Sequence, residues 1–215
     1  MSNIAVPPPE PGSADRSAPR PGGLTAPIGD PGAAGLMTFG LALTWVWVAE
    51  VINHQASGAL VYGLLIGGIG QVGAGTLAII RRDNYLGNLL ITYGIWLIGF
   101  HFLSLNAKLG TPDARAWWSL ALIVPSLLLL VPAIRERSIP IVVAFVFLIA
   151  LELFLGLALL NPGTSWLAKA TGWFAFLAAI PIYFLSYERL IKAVEPAHAV
   201  RAAGFDEVET RGHRS

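Results

Sequence analysis

The sequence predicts an all-α, polytopic membrane protein with six transmembrane helices in each protomer and a disordered N-terminal arm rich in proline and glycine. Apolar residues make up 55% of the 215 residues, charged residues only 13%, and the apolar residues cluster into six long stretches. A soluble domain carries about 25% charged residues, so this composition indicates a chain that lies in a lipid bilayer.

Residues 1–32 form the predicted arm. They hold 8 of the 15 prolines of the chain, separated mostly by glycine, serine and alanine. Such a segment has almost nothing to bury and cannot offset its chain entropy, so we expect it to be disordered. It has no continuous apolar stretch behind a basic start, and we therefore do not expect a cleaved signal peptide.

Residues 33–191 form the predicted transmembrane domain. A helix needs about 20 apolar residues to cross a hydrocarbon layer of about 30 Å, and each apolar stretch is close to that length. The predicted spans are Ala33–Ile52, Ser57–Ile80, Leu86–Leu105, Ala116–Ile134, Ile139–Leu160 and Ala168–Leu190. Residues 192–215 remain as a tail, and we expect its mixed-charge end, from Asp206, to be disordered.

The positions of lysine and arginine near the span ends predict the orientation, because cytoplasmic loops are enriched in these residues. Nine lie on the side of the chain termini, namely Arg16, Arg20, Arg81, Arg82, Arg135, Arg137, Arg189, Lys192 and Arg201. Three lie on the other side, namely Lys108, Arg115 and Lys169. We therefore predict a multi-pass protein of the cell (inner) membrane with both the arm and the tail in the cytoplasm.

Composition also excludes several kinds of site and partner. The net charge of +1 gives no electrostatic basis for binding nucleic acid. The chain has no cysteine, and its four histidines lack ligand spacing, so we expect no metal site, no cofactor and no cysteine nucleophile. The motifs H-E-x-x-H and G-x-S-x-G do not occur, and we expect no catalytic residues and no enzymatic activity.

Two polar residues within the spans are the first candidates for a function. Glu152 lies about two-thirds along the fifth span, where a charge costs about 2.5–3.5 kcal/mol, so it must be protonated, paired or facing water. It is either a proton relay or selectivity element, or a protonated side chain that joins two helices. Gln71 follows Gly63 and Gly67 at four-residue spacing, on a face that either lines a pore or packs closely against another helix.

The spans offer neutral hydrogen-bonding groups and no interior lysine or arginine. Such a path is poorly suited to multivalent anions and better suited to a small solute. A carboxylic acid titrating near ~4.3 fits, and so do uncharged solutes such as ammonia or urea. A membrane organiser that transports nothing, with a glycine face that assembles subunits, is a further alternative.

Short motifs in four of the spans, in order along residues 30–195, resemble the succinate–acetate permease (acetate uptake transporter) family. The family signature N-P-x-P-x-G-L, followed by M-x-F-G, resembles Asp30–Gly40, with aspartate in place of the asparagine. The motif G-G-I-A-Q resembles Gly67–Gln71, and T-S-Y-G resembles Ile91–Gly94. In the sixth span, A-G-W and I-Y-L-A-x-x-E compare with Thr171–Trp173 and Ile182–Glu188.

This resemblance implies a transporter or channel-like permease for small monocarboxylates such as acetate, with proton coupling left open. It implies a homohexamer in which each six-helix protomer has its own path. Two constrictions of the family's path correspond to Phe39 and Tyr93 in this sequence. A third constriction corresponds to a position near Phe147–Leu151, and we expect Leu148 and Leu151 to line the path there.

The same resemblance suggests polar contacts for the carboxylate. The family glutamine corresponds to Gln71, and we expect Thr92 and the tyrosine hydroxyl to help orient the solute. Glu152 has no counterpart that can be placed in the family. An anion passing Asp30 would be repelled unless that carboxylate is paired or protonated.

Overall fold

Long helices form the whole of the described chain. The computed structural model describes the backbone of residues 30–212 and the side chains of residues 30–192. The predicted arm lies outside the described residues as far as residue 29. Six long helices and no strand occur between residues 30 and 212, which confirms the predicted fold class.

The helices match the predicted spans closely. They are α1 Pro31–Trp47, α2 Ser57–Ile80, α3 Asn84–Leu105, α4 Pro112–Arg135, α5 Ile139–Leu160 and α6 Ser165–Gly212. A π-helical turn, Val48–Ile52, extends α1, and a 3-10 turn, His54–Ala56, precedes α2. All six helices are long and apolar enough to cross a membrane, the last of them over Ser165–Lys192. The chain is therefore a multi-pass membrane protein.

Four helices, α1, α3, α4 and α6, begin before their predicted spans, and polar side chains cap α1 and α4 at their new starts. Helix α1 begins at Pro31, since Asp30 Oδ1 accepts a hydrogen bond from the Gly32 amide at 2.9 Å and proline suits the first helical position. Helix α4 begins at Pro112 in the same way, with Thr111 Oγ1 accepting from a backbone amide at 3.2 Å. The predicted boundary of the arm at residue 32 therefore lies inside α1.

Helix α6 continues beyond its predicted end. Its backbone is helical to Gly212, past Asp206, where the sequence predicts a loss of regular structure. The helix therefore does not end at Leu190, where the predicted sixth span ends, while the predicted disorder of the tail stays a prediction. Alanine, the strongest helix former, is frequent after Lys192 and favours a continued helix, whereas Pro196 opposes it.

The six helices form a ring in chain order around a shared core. Helix α1 packs against α2 and α6, α2 against α3, α4 against α5, and α5 against α6. Helices α3 and α4 meet over a shorter length, and side chains join them there. The indole N–H groups of Trp96 and Trp118 each donate to the other residue's carbonyl at 3.1 Å, and the Tyr85 hydroxyl donates to the Leu129 carbonyl at 2.8 Å.

Glycines of α2 allow its backbone to approach α1 and α3 within the protomer. A Cβ atom added at Gly67 would lie 2.7 Å from Ala42 Cβ, and one added at Gly68 would lie 2.8 Å from the Gly94 carbonyl oxygen. Both separations are too short for a methyl group. Close helix packing inside the protomer therefore accounts for these glycines.

We expect Gly68→Ala and Gly73→Ala to have opposite effects on stability. The Gly68→Ala methyl group would press on the α3 backbone, and overpacking of this kind costs about 1–3 kcal/mol. Position 73 has open space on the same helix, so Gly73→Ala should be neutral or stabilising by about 0.5–1 kcal/mol. Thermal unfolding in detergent measures both changes, and equal changes would contradict the α2–α3 packing.

Candidate functional site

The antiparallel helices give the bundle two distinct ends. Helices α1, α3 and α5 begin at the end where the spans of α2, α4 and α6 finish, and we call this the terminal end. We call the opposite end the distal end. A cavity lies toward each end, and the two cavities share lining residues near the middle of the bundle.

The terminal cavity has a volume of about 200 Å³. Asp83 and Glu136, at the start of α3 and the end of α4, line its outer part together with Arg189 of α6. Its inner wall is apolar and includes Phe145 and Leu148 of α5. A water needs about 10–15 Å³ of such volume, so this cavity has room for a solute of a few carbons with water.

The distal cavity is larger, at about 280 Å³. Its outer part is lined by Glu50 of the π-helical turn, Ser57 at the start of α2 and Arg115 in the first turn of α4. Deeper in the bundle, Leu151 and Glu152 of α5 line it. Because π-helical turns often occur at functional sites, the turn that carries Glu50 suits the rim of such a cavity.

Four side chains separate the two cavities. Phe39 and Leu148 line both of them, Tyr93 lines the distal cavity, and Phe145 lines the terminal one. The Tyr93 ring centroid lies 5.0 Å from that of Phe39 and 6.2 Å from that of Phe145. Each of the four is at most 3% exposed. We call Phe39, Tyr93, Phe145 and Leu148 the constriction.

A buried polar network adjoins the constriction. Ser126 Oγ of α4 lies 2.6 Å from the Tyr93 hydroxyl, 2.8 Å from Glu152 Oε1 and 2.8 Å from the Leu122 carbonyl oxygen. Glu152 Oε2 has no hydrogen-bond partner within the described residues. The side chains of residues 30–192 include no group of three or more His, Cys, Asp or Glu suited to a metal ion, so this network offers no metal site.

The structure brings most of the sequence-predicted site residues together. Phe39, Tyr93, Leu148, Leu151 and Glu152 all line the distal cavity.

The two other predicted polar contacts lie elsewhere. Gln71 is fully buried where α2 crosses α3 beside Gly94, and neither polar atom of its amide has a partner within the described residues. Thr92 is half-buried and is not among the residues that line the two cavities. The expected contacts of Gln71 and Thr92 with a solute therefore remain predictions.

Two residues of the site escaped the sequence analysis. Phe145 is one of many apolar residues in α5, and nothing in the sequence distinguishes it. Ser126 had a detectable signal, because Ser119 lies seven residues before it, on the same face of α4, and both are fully buried. A pair of serines at this spacing in an otherwise apolar span indicates a polar stripe that faces the bundle interior.

Asp30 is paired at the terminal end. Arg189 Nη1 lies 3.1 Å from Asp30 Oδ2, and Arg189 Nη2 lies 3.6 Å from Asp83 Oδ2. Arg81 Nη1 lies 4.0 Å from Asp30 Oδ1. The pairing offsets the negative charge that the aspartate brings to this end, which removes the repulsion expected for an unpaired carboxylate.

Comparisons with known proteins agree with the architecture. No protein-family model matches the chain, and no curated protein matches it. Among solved structures it is similar to the bacterial acetate channel SatP, with a TM-score of 0.68 and 19% sequence identity, covering 76% of this chain and 93% of that one. The likeness supports the resemblance to the succinate–acetate permease family found in the motifs. The chain therefore shares its fold with the bacterial acetate channel SatP.

Proposed function

We propose that the chain is a membrane permease, either a transporter or channel-like, that carries small monocarboxylates such as acetate. The observation that carries the proposal is the pair of cavities that extend toward opposite ends and meet at the constriction. The fold shared with a bacterial acetate channel supports it. The proposed role is transport and not catalysis.

In this proposal the constriction selects solutes by size. Phe39 and Tyr93 present rigid rings to the path, and Leu148 faces both cavities. Leu151 extends the apolar wall from Leu148 into the distal cavity. A solute of two or three carbons needs only small side-chain movements to pass, whereas a longer or dicarboxylic solute needs more.

Gln71 and Thr92 are the proposed polar contacts. An unsatisfied buried polar group costs about 1–3 kcal/mol, so the two unpartnered atoms of the Gln71 amide favour a water or a solute beside them. The proposal for Thr92 rests on its place next to Tyr93 in the motif shared with the family.

We expect Gln71→Ala to weaken acetate uptake, and Gln71→Leu provides the sharper test because leucine fills a similar volume without polar atoms. If the Gln71 amide forms hydrogen bonds with the solute or with its water, both variants lose uptake although they insert and fold. Tracer uptake and thermal unfolding, measured on the same preparations, separate the effects. A Gln71→Leu protein that is more stable and transports at the parent rate would contradict the role of the amide.

A flux assay tests the proposed function directly. Purified full-length protein in liposomes is compared for acetate, lactate, succinate and urea at two external pH values, with protein-free liposomes as background. We expect acetate and lactate to exceed the background clearly, succinate to be slower, and urea to stay at the background. Acetate at the background level would refute a carboxylate permease.

The apolar lining of the constriction favours a second candidate, a channel for a small neutral solute such as urea or ammonia. The same assay decides between the two, because urea flux that is indifferent to pH, without acetate flux, would support the neutral-solute channel. Intact oligomers without any flux would instead support a membrane organiser that transports nothing.

We propose that the protein lies in the cell (inner) membrane with both termini in the cytoplasm. Arg81 and Arg189 at the terminal end agree with the enrichment of basic residues on the cytoplasmic side. We also propose a homohexamer, each protomer having its own path. Reporter fusions at the C-terminus test the orientation, and cross-linking in the native membrane tests the assembly.

A further inference from the structure

Glu152 lies beside the constriction, and no basic side chain of residues 30–192 forms a salt bridge with it. The side chain is 1% exposed, yet it lines the distal cavity. Arg115 is the one basic residue among the described residues that line this cavity, and it precedes Ser126 by eleven residues on α4, about 16 Å along the helix. The network contact of Glu152 is therefore a neutral hydroxyl and not a charge that could neutralise it.

Counting hydrogens around Ser126 indicates the charge state of Glu152. Three oxygen atoms lie within hydrogen-bond distance of Ser126 Oγ, from Tyr93, Leu122 and Glu152. The tyrosine and serine hydroxyls supply only two hydrogens for these three contacts. The Leu122 carbonyl can only accept, so with Glu152 ionised one contact has no hydrogen. With a proton on Glu152 all three are satisfied.

The other titratable groups near Glu152 do not favour its ionised form over its protonated form. Tyr93 of α3 is part of the network, Glu50 lies at the cavity rim with a carboxyl group of its own, and Arg115 is distant. No titratable residue of α6 lines the distal cavity within the described residues. The charged groups of the terminal cavity, Asp83, Glu136 and Arg189, lie on the other side of the constriction.

We infer that the constriction passes a carboxylate anion only while Glu152 carries a proton. The inference rests on the proposed monocarboxylate transport and assigns a control point within it. Ionised Glu152 would place a negative charge beside the passing anion in a buried site with weak solvent screening, where like charges repel more strongly than in bulk water. The proton is taken up from hydronium or buffer acid of the bulk solution through the distal cavity and remains on Glu152 while the anion passes, so the proton itself need not cross.

Acetate current through the full-length protein in planar bilayers tests this inference, because the undissociated acid carries no current. Between about pH 5.5 and about pH 8.5 acetate itself is mostly ionised, since such acids titrate near ~4.3. We expect the parent current to fall with rising pH. The fall should approach about tenfold per pH unit once Glu152 is mostly ionised, because the protonated fraction of a single acid declines at that rate.

Glu152→Gln should remove this dependence, because glutamine is neutral at every pH and keeps a donor and an acceptor. We expect its current to change less than about twofold over the same range. Glu152→Leu, also neutral, provides the same test if the glutamine variant does not insert. Glu188→Gln on α6 is the matched control, since Glu188 lines neither cavity, and it should keep the parent pH profile.

Several outcomes would overturn the inference. The first is a folded Glu152→Gln protein that keeps the parent pH profile, and the second is a folded Glu152→Gln protein that carries no current. The third is a parent protein that carries labelled acetate without any current. The last result would mean that the cargo crosses as the neutral acid. A parent protein without tracer flux at any pH would instead overturn the proposed function, so the two failures are distinguishable.

Discussion

Leu148→Trp is expected to reduce acetate flux to the level of protein-free liposomes. Leu148 lines both cavities, so a larger side chain at this position extends into the part of the proposed path where the two cavities meet. Tryptophan adds several ring atoms where Phe39 and Tyr93 already approach to 5.0 Å between centroids. Tracer uptake of acetate into proteoliposomes measures the effect.

The matched control for this blocking substitution is Leu153→Trp. Leu153 lies on the same helix but is 41% exposed, so a tryptophan there extends away from the core. We expect Leu153→Trp to transport at the parent rate. Inserted and folded Leu148→Trp protein with parent flux would show that the path does not pass between these side chains.

Tyr93→Ala is expected to relax size selection and raise the rate of succinate or butyrate relative to acetate. The substitution removes a buried aromatic ring from the constriction and joins the space of the two cavities beside Phe39 and Phe145. It also removes the hydroxyl that contacts Ser126. Truncating a buried aromatic residue costs about 3–5 kcal/mol, so folding is checked before the flux ratio is measured.

Two further variants separate the effect of losing the Tyr93 ring from the effect of losing its hydroxyl and from the effect of lower stability. Tyr93→Phe keeps the ring and should keep the parent ratio of succinate to acetate. Leu90→Ala truncates a fully buried residue of the same helix outside the cavity linings and should lower stability with an unchanged ratio. A Tyr93→Ala protein with the parent ratio would contradict a filter at this position.

The fold was predictable because membrane insertion constrains length and composition strongly. The predicted bounds of α2 and α5 agree with the structure, since polar residues flank both spans. The π-helical turn Val48–Ile52 was not predictable, because an i to i+5 bond depends on how α1 packs against its neighbours. The continuation of α6 to Gly212 was missed because mixed charge was given more weight than the helix propensity of alanine.

The site was less accessible to prediction than the fold. Inside a bilayer both the lipid-facing and the core-facing side chains are apolar, so periodicity does not tell which face of a helix lines a path. Motifs located Phe39 and Tyr93, whereas Phe145 carried no signal. Polar residues stand out in such spans, which is why Glu152 was identified and why Ser126 could have been.

Sided labelling of introduced cysteines tests the central claim that water reaches the constriction from both ends. The chain has no cysteine, so each variant carries a single thiol. Val46→Cys lies in the distal cavity and Ala144→Cys in the terminal cavity, while Leu127→Cys lies on the exposed apolar face of α4. A charged, membrane-impermeant methanethiosulfonate, added to either side of oriented vesicles, should modify Val46→Cys only from the distal side and Ala144→Cys only from the terminal side. Leu127→Cys should resist it from both sides.

If the two cavity variants are as unreactive as Leu127→Cys, no aqueous path leads to the constriction and the permease proposal is contradicted.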